Sequence, residues 1–583
     1  MLAVKAPRDL LIFFGLSAGI TAILFALTLG LGTPQFDEND DVVMMRIASG
    51  EMTGEPDEHL VFINVIIGWL LKFCYEVVPG VNWYVLFLYS VQFISLVVLL
   101  FAGFVGMPRG ALRWLYFSAV LLFSSYYLLR FQFTTTAFMA AAAGWIWYLG
   151  IWPVSKRHRV FATIIGILLI AISAMVRHQI FFLSVILFMI PSATLFLTRR
   201  ERRRELVVRI GLIALIIPLL VVDAICYRSD VDWKDYREYT NLRGQIAKTT
   251  AIESLLRDYP RATGYEELLG GINWTLNDVI LYDRWLFVDQ DVYSKEKLQS
   301  VADAFGPLRK TLKDVIEFFG IVLYPISGYA GFSLLIALFA IWSSIQRGSK
   351  WIGVAQGLSI AFIVVFTACF LFYWRLPARL FMSLVFGLCL VPLSLGMQAR
   401  REVGKVAGKG KHAAVLRWSA AVASIGVLIF AAIFSYGFSE SNKGQQAWYR
   451  EAESRLLQVE TQDGRPATFF VWLEFPYQYQ PVRLFTPKGQ RLNMILHGWP
   501  IPSPLHVAAC ERLGITELMK DVYRRRDLAV ICTQYDAEVY SRFAMEHYGA
   551  RVGFRRVPVF SENIPFQVYQ VVLLGSASPA PGA

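Results

Sequence analysis

Charge is scarce in this 583-residue chain. Asp, Glu, Lys and Arg together make up 17% of it, against 56% apolar and 15% aromatic residues. A soluble domain carries roughly 25% charge and about 45–50% apolar residues. An ordinary water-soluble protein is therefore excluded, and with it a disordered or collagen-like chain. Cysteine is sparse too. Six cysteines over this length exclude a disulfide-rich miniature domain, and no spacing among them resembles a zinc site. Cys74, Cys226, Cys369 and Cys389 sit in or beside apolar runs and read as small packing residues. Cys510 and Cys532 share the C-terminal part, where a disulfide is open to them in an oxidising compartment. Walker-type loops, short repeats and low-complexity tracts are missing. Only 575–583, small residues and proline, reads as a disordered tail.

What is abundant is long apolar sequence. Eleven runs, at about 10–31, 83–104, 111–129, 134–153, 160–176, 179–198, 206–226, 319–345, 351–373, 379–397 and 415–436, approach the roughly 20 residues a helix needs to cross a bilayer. The expected fold is a polytopic α-helical membrane protein of about eleven spans. A further run, 59–78, is ambiguous. Lys and Arg in short loops stay cytoplasmic, and one set of loops is rich in them: Lys5 and Arg8, Arg109 and Arg113, Lys156 to Arg159, Arg199 to Arg204, Arg347 and Lys350, and Arg400 to Lys411. The short loops of the other set hold only Arg130, Arg177, Arg375 and Arg379. The two sets alternate only if 59–78 does not cross, so it is expected as a helix in the outer interface, with Asn64, Lys72 and Glu76 on its polar side. The net charge of +12 is mostly this cytoplasmic excess and asks for membrane lipids rather than nucleic acid as partner.

This orientation puts the N-terminus in the cytoplasm and 32–82, 227–318 and 437–583 outside. It fits a multi-pass protein of a bacterial plasma membrane whose first run resembles a signal anchor. The expected domains are a membrane module, 1–436, and an extracytoplasmic accessory domain, 437–574. In the latter, strand-like 467–473, 528–531, 551–558 and 566–574 alternate with helix-like 503–513, 517–524 and 536–546, the pattern of a small α/β domain. The loop 227–318 reads as short helices at 252–258, 276–288 and 294–304. Its Trp274, Tyr282 and Trp285 are open to two roles, lying over sugars or anchoring in headgroups.

Chemistry concentrates just after the first run, in Phe36-Asp37-Glu38-Asn39-Asp40-Asp41. A short amphipathic helix, 42–50, follows and ends at Gly50. Gly54, Pro56 and Asp57 then turn the chain, and His59 opens the interfacial segment. Four carboxylates in five residues repel one another, which raises at least one pKa and suits a general base. The plainer reading is an acidic helix start, with Asp40 and Asp41 near the N-cap. The candidate cations are Arg130, Arg177 with His178, and Arg375 and Arg379 of Trp374-Arg375-Leu376-Pro377-Ala378-Arg379. An Arg fork matches phosphate. The plainer readings are snorkelling to headgroups and pairing with Asp223.

Acidic residues after the first membrane helix, a short amphipathic helix, a Gly turn, an interfacial helix and a second span led by Asn82-Trp83-Tyr84 resemble the polyprenyl-phosphate-dependent glycosyltransferases of the C superfamily. Protein O-mannosyltransferases and lipid A aminoarabinose transferases are members. The likeness is motif-specific only in 36–84, with Asn-Asp-Asp in place of an Asp-Glu pair and His59-Leu60 in place of His-Pro-Pro. It implies transfer of a sugar from a polyprenyl-phosphate donor to an acceptor hydroxyl on a glycan, lipid or protein. One Asp would act as base, with inversion. By distance to Gly50, Asp41 and Asp40 lead as catalytic candidates and Asp37 is third. Arg375, Arg379, Arg177, His178, Arg130 and His59 are the candidate substrate or phosphate ligands. Some members use a divalent cation, so Mg²⁺ or Mn²⁺ on Asp40 and Asp41 is open. Two other functions remain in play: an oligosaccharide polymerase or ligase using a lipid-linked glycan, and a lipid or sugar flippase without transferase activity.

Overall fold

The computed structural model describes residues 7–107, 110–149, 156–198, 213–246, 265–304, 327–346, 350–373, 376–399, 411–460, 466–472, 475–485 and 492–574, with 207, 211 and 316 singly. The N-terminal half runs α1 (Pro7–Gly30), β1 (Gln35–Phe36), α2 (Asn39–Ala48), α3 (Val65–Val77), α4 (Trp83–Gly106), α5 (Ala111–Leu129), β2 (Arg130–Phe131), α6 (Phe133–Leu149), α7 (Lys156–Val176), α8 (His178–Leu187) and α9 (Met189–Thr198). Next come α10 (Ile217–Ser229), at the end of the run 206–226, and, in the loop 227–318, α11 (Val231–Ile246), α12 (Tyr265–Gly271), α13 (Leu276–Asp283) and α14 (Lys295–Ala304). Then come α15 (Ser327–Gln346), α16 (Lys350–Tyr373), α17 (Ala378–Ala399) and α18 (Lys411–Leu457).

Eight of the described helical stretches are long and apolar enough to cross a membrane: Arg8–Gly30, Trp83–Gly106, Leu112–Leu129, His178–Leu197, Ser327–Gln346, Lys350–Phe372, Ala378–Met397 and Trp418–Leu457. The chain is thus a polytopic helical membrane protein. The other three of the eleven expected runs fall short of that length or lie partly outside the described residues. Run 134–153 is the 17-residue α6, buried along its whole length. Run 160–176 has its apolar part at Thr163–Val176, and only the end of 206–226 is described, in α10.

Segment 59–78 becomes α3, 13 residues long. At ~1.5 Å per residue it reaches about 20 Å, short of the ~30 Å hydrocarbon core. Trp69, Leu70, Phe73 and Val77 project from one side of it, while Ile67, Leu71 and Tyr75 are buried. It starts at Val65, capped by Asn64 accepting from the Ile66 N–H at 3.0 Å, so His59 lies in the preceding loop. Gly68 allows the turn before α3 to close on it, since a Cβ there would sit 1.9 Å from the Glu58 carbonyl oxygen. Helix α2 also differs from expectation. It begins at Asn39, and every residue from Asp41 to Ala48 is buried, because α2 is enclosed between the membrane helices and the C-terminal part. Gly50 follows with φ +75°, and a Cβ there would meet the Glu55 carbonyl carbon at 2.5 Å.

One helix, α18, carries the chain past residue 437 to Leu457 without a break, 47 residues in all. Beyond it lie β3 (Thr468–Val471), β4 (Asn493–Leu496), β5 (Leu528–Thr533), β6 (Val552–Val557) and β7 (Phe566–Leu573), in the order β4-β3-β5-β7-β6. The first three strands are parallel and the last two antiparallel. Helices α19 (Pro504–Arg512), α20 (Leu518–Arg524) and α21 (Gln534–Tyr548) cover the sheet. Strand β4 has no counterpart in the sequence reading, its four residues being too short for a pattern to register.

The outer loop shares its core with this sheet. Trp274, Tyr282, Tyr293 and Phe287 are buried in one apolar cluster with Phe470, Trp472, Tyr540 and Phe543. His547 meets Asp278 at 2.8 Å, and Thr275 and Asn277 donate to Glu546. Trp274 and Tyr282 are therefore packing residues here, because a loop of this size buries too little by itself. The loop segment 252–258 lies outside the described residues. Cys510 and Cys532 are free and buried, and burial pushes the Cys510 thiol up to about 12.

Candidate functional site

The acidic motif is held from three sides. Strand β1 pairs with β2, Gln35 to Arg130 and Phe36 to Phe131. The extension of α18 presents amides on one face: Asn442 donates to the Thr33 carbonyl at 2.8 Å and Gln446 to that of Pro34 at 2.7 Å. Gln445 Oε1 accepts from Gln35 Nε2 at 2.7 Å. From the C-terminal domain, the Gln478 N–H donates to Asn39 Oδ1 at 2.9 Å. None of these amides carries a sequence signal, since they act across some 400 residues.

Within that frame the carboxylates meet cations. Arg130 Nη1 lies 3.5 Å from Asp37, with its guanidinium over the Phe438 ring. Arg379 forks between Glu38, at 2.7 Å, and Asp40, at 3.5 Å. Burial raises the Glu38 pKa, and Arg379 opposes the shift. Arg177 is different. Its guanidinium sits over the rings of Phe62, at 4.8 Å, and Phe133, at 5.1 Å. Asp40 and Asp41 are the acids that act on it electrostatically, and Arg379 is the neighbouring cation. Among the described residues no carboxylate pairs with it.

Asp41 is fully buried. Its Oδ1 accepts from the Tyr84 hydroxyl at 2.8 Å and the Phe133 N–H at 3.1 Å, while Oδ2 has no hydrogen-bond partner. Phe133 is the first residue of α6, and Gln132 Oε1 takes the next two N–H groups, those of Thr134 and Thr135. Asp41 and Gln132 together thus satisfy donors a helix start leaves open. Burial raises the Asp41 pKa well above its ordinary value, against the pull of the Tyr84 bond.

This geometry has a measurable consequence. Asp41→Ala strands two buried donors at ~1–3 kcal/mol each, so unfolding in detergent should shift by about 2–6 kcal/mol. Asp41→Asn keeps an acceptor oxygen and should lose far less. A carboxyl whose folded pKa is raised stabilises fully below its unfolded value, about 3.9, and loses that contribution as pH rises through the folded value. Wild-type stability relative to Asp41→Asn should therefore fall as pH climbs above about 4. A pH-independent difference in melting temperature would contradict it.

Of the residues nominated from sequence, Asp37, Asp40, Asp41, Arg130, Arg177 and Arg379 come together. Arg375 lies outside the described residues. His178 is exposed, with Arg177, Asp223 and Arg237 as charged neighbours. His59 pairs with Asp57 at 2.9 Å and stacks on Trp233 at 4.7 Å, both outside the acidic motif. Asp223, weighed as a partner for the arginines, is taken by Arg237 at 3.3 Å and the Val65 N–H at 2.9 Å. Among the described residues one acidic and histidine trio has ligand atoms within 4.8 Å, Asp57, Glu58 and His59. Asp57 is engaged by His59 and Glu58 by Lys72 at 2.7 Å. Sequence reasoning missed Tyr84, Phe62 and Phe133, which shape the site from α4, the loop before α3 and α6.

The class these features define is a multi-pass membrane protein with a charged, partly buried cluster beneath a mixed α/β domain. Over 95% of its length, and 97% of that chain, it is similar to ArnT from Cupriavidus metallidurans in the apo state, at 10% identity and a TM-score of 0.38. It is likewise similar over 97% of its length, and 98% of that chain, to ArnT bound to undecaprenyl phosphate, at 10% identity and a TM-score of 0.36. No protein-family model matches the chain. No curated protein does either.

Proposed function

We propose that this chain is a membrane glycosyltransferase that moves a sugar from a polyprenyl-phosphate donor to an acceptor hydroxyl on the extracytoplasmic side. The observation that carries the reading is Arg177: a guanidinium held over two rings near Asp40 and Asp41, paired with no carboxylate among the described residues. An unpaired Arg fork there suits a phosphate. Arg379, bonded to Glu38 and Asp40, supplies the second cation.

In the step proposed, an acceptor oxygen attacks the anomeric carbon and its proton passes to a carboxylate. The bond from that carbon to the phosphate oxygen breaks, and polyprenyl phosphate leaves with the electron pair. A single displacement inverts the centre. Asp40 suits the base better than Asp41, because its side chain keeps 22% exposure while Asp41 is sealed and bound to the start of α6. Asp41 then positions the motif. Asp37, held by Arg130, frames it from the other side. The domain from 437 to 574 serves as an accessory to the membrane module. The distribution of basic loops supports an arrangement with both Asp40 and that domain outside.

The test is incubation of the purified chain in nanodiscs with a panel of polyprenyl-phosphate pentoses and hexoses and mixed neutral acceptors. Release of polyprenyl phosphate coupled to a glycosylated product is expected. Movement of labelled donor across proteoliposomes with no covalent product would overturn the reading, as would turnover only with a lipid-linked oligosaccharide.

A further inference from the structure

A cavity of about 400 Å³ opens beside the acidic motif, within the ~300–1,000 Å³ range of small-molecule clefts. Asn39, the residue before Asp40, forms one wall. The others come from the end of α18 and from two C-terminal segments: Trp448, Phe475, Gln478, Tyr479 and Phe566 are the principal residues. Four separate chain segments thus converge on one space.

We infer that this cleft is the acceptor subsite and that it takes a neutral saccharide, laid on the aromatic wall with one hydroxyl directed to Asp40. The inference rests on the function proposed above. Three observations carry it. First, among the described residues the lining holds no Lys, Arg, Asp or Glu, so no charged side chain described there recognises a phosphate or a carboxylate. The cations described at the motif, Arg130, Arg177 and Arg379, are not among the lining residues. The donor's phosphate therefore belongs with Arg177 and Arg379, and the space across Asn39 is left for an uncharged partner. Second, the polar groups are amides. Asn39 uses its oxygen on the Gln478 N–H, leaving an NH₂ to donate. Gln478, beside it in the lining, has an Oε1 that is closed to solvent and without a hydrogen-bond partner among the described residues; it meets a ligand hydroxyl when the side chain turns into the cleft. A donor and an acceptor side by side match adjacent sugar hydroxyls, each of which both donates and accepts. Third, the apolar wall is aromatic. Trp448 is half-buried and packs against Phe566 at 5.8 Å, Phe475 at 6.1 Å and Tyr479 at 6.3 Å between ring centroids. Rings fixed by neighbours offer flat apolar faces at low entropic cost, the surface on which the C–H face of a pyranose rests.

The experiment is saturation-transfer NMR on the full chain in detergent with maltose, cellobiose and mannobiose as probes, alongside a glucuronate-containing disaccharide. Wild type and Asp40→Asn should transfer saturation to at least one neutral disaccharide. Trp448→Ala should weaken that binding about tenfold, the equivalent of ~1.4 kcal/mol. Because Trp448 also packs against Phe560, Tyr479→Ala at the rim is the second variant, with the same direction of effect and a check of the melting temperature. Binding unchanged in both variants, no neutral probe bound, or preference for the acidic disaccharide would overturn the inference. The two readings fail separately. Donor turnover with no saccharide in this cleft would remove the subsite and leave the transferase. Saccharide binding lost in Trp448→Ala, with no donor cleaved, would remove the transferase and leave a saccharide site.

Discussion

Replacing Asp40 by Asn should lower sugar transfer by about 10²–10⁴-fold, the usual contribution of a positioned general base. The substitution is nearly isosteric. It removes one partner of Arg379, which keeps Glu38 at 2.7 Å, so the guanidinium stays anchored. Donor binding, measured as retention of a polyprenyl-phosphate sugar in nanodiscs, should hold within a few-fold, and the melting temperature should barely move. The split is what identifies a base: turnover collapses while binding and stability persist. Full turnover in Asp40→Asn, with loss in Asp37→Asn instead, would move the base to Asp37. Full turnover in Asp37→Asn, Asp40→Asn and Asp41→Asn alike would end the mechanism.

Arg177→Gln should cost about 10²–10³-fold in kcat/KM for the donor, the scale on which removal of one preorganised charge-stabilising donor is felt. Negative charge grows on the leaving phosphate as the glycosidic bond breaks, so the loss should fall on kcat as well as on KM. Arg177→Lys should recover only part of it, since an ammonium keeps the charge but not the fork, and stacks less well on Phe62 and Phe133. An Arg177→Gln enzyme with normal kinetics would assign the phosphate to other groups, and Arg379 would be next to test.

Burial decided how the acidic motif divides its labour. In sequence Asp37, Glu38, Asp40 and Asp41 are four alternatives spaced within five residues, and a like-charge argument treats them alike. Once α2 is enclosed, Asp41 turns inward to the Phe133 N–H and the Tyr84 hydroxyl, Asp40 and Glu38 share Arg379, and Asp37 faces Arg130. The partners come from α4, β2, α6 and α17, and no local pattern ties residue 41 to residue 84 or 133. The arginines were legible for a different reason. Positive charge is rare in one of the two alternating sets of short loops, so Arg130, Arg177 and Arg379 stood out there, and they converge on the motif.

The aromatic residues of 227–318 show the opposite case. Their composition suits a sugar platform, a headgroup anchor or a core equally. Packing against β3, β5 and α21 made Trp274 and Tyr282 core, and the rings that line the cleft come instead from Trp448, Phe475, Tyr479 and Phe566.

Sequence alone determined that this chain is a polytopic helical membrane protein and where most of its long apolar helices run, because hydrocarbon thickness acts on each segment by itself. Which carboxylate is sealed, which arginine has no carboxylate partner among the described residues and which rings border the cleft were decided only by the tertiary structure. Those properties belong to pairs of residues brought together from distant parts of the chain, and burial and charge pairing have no meaning until the pairs are made.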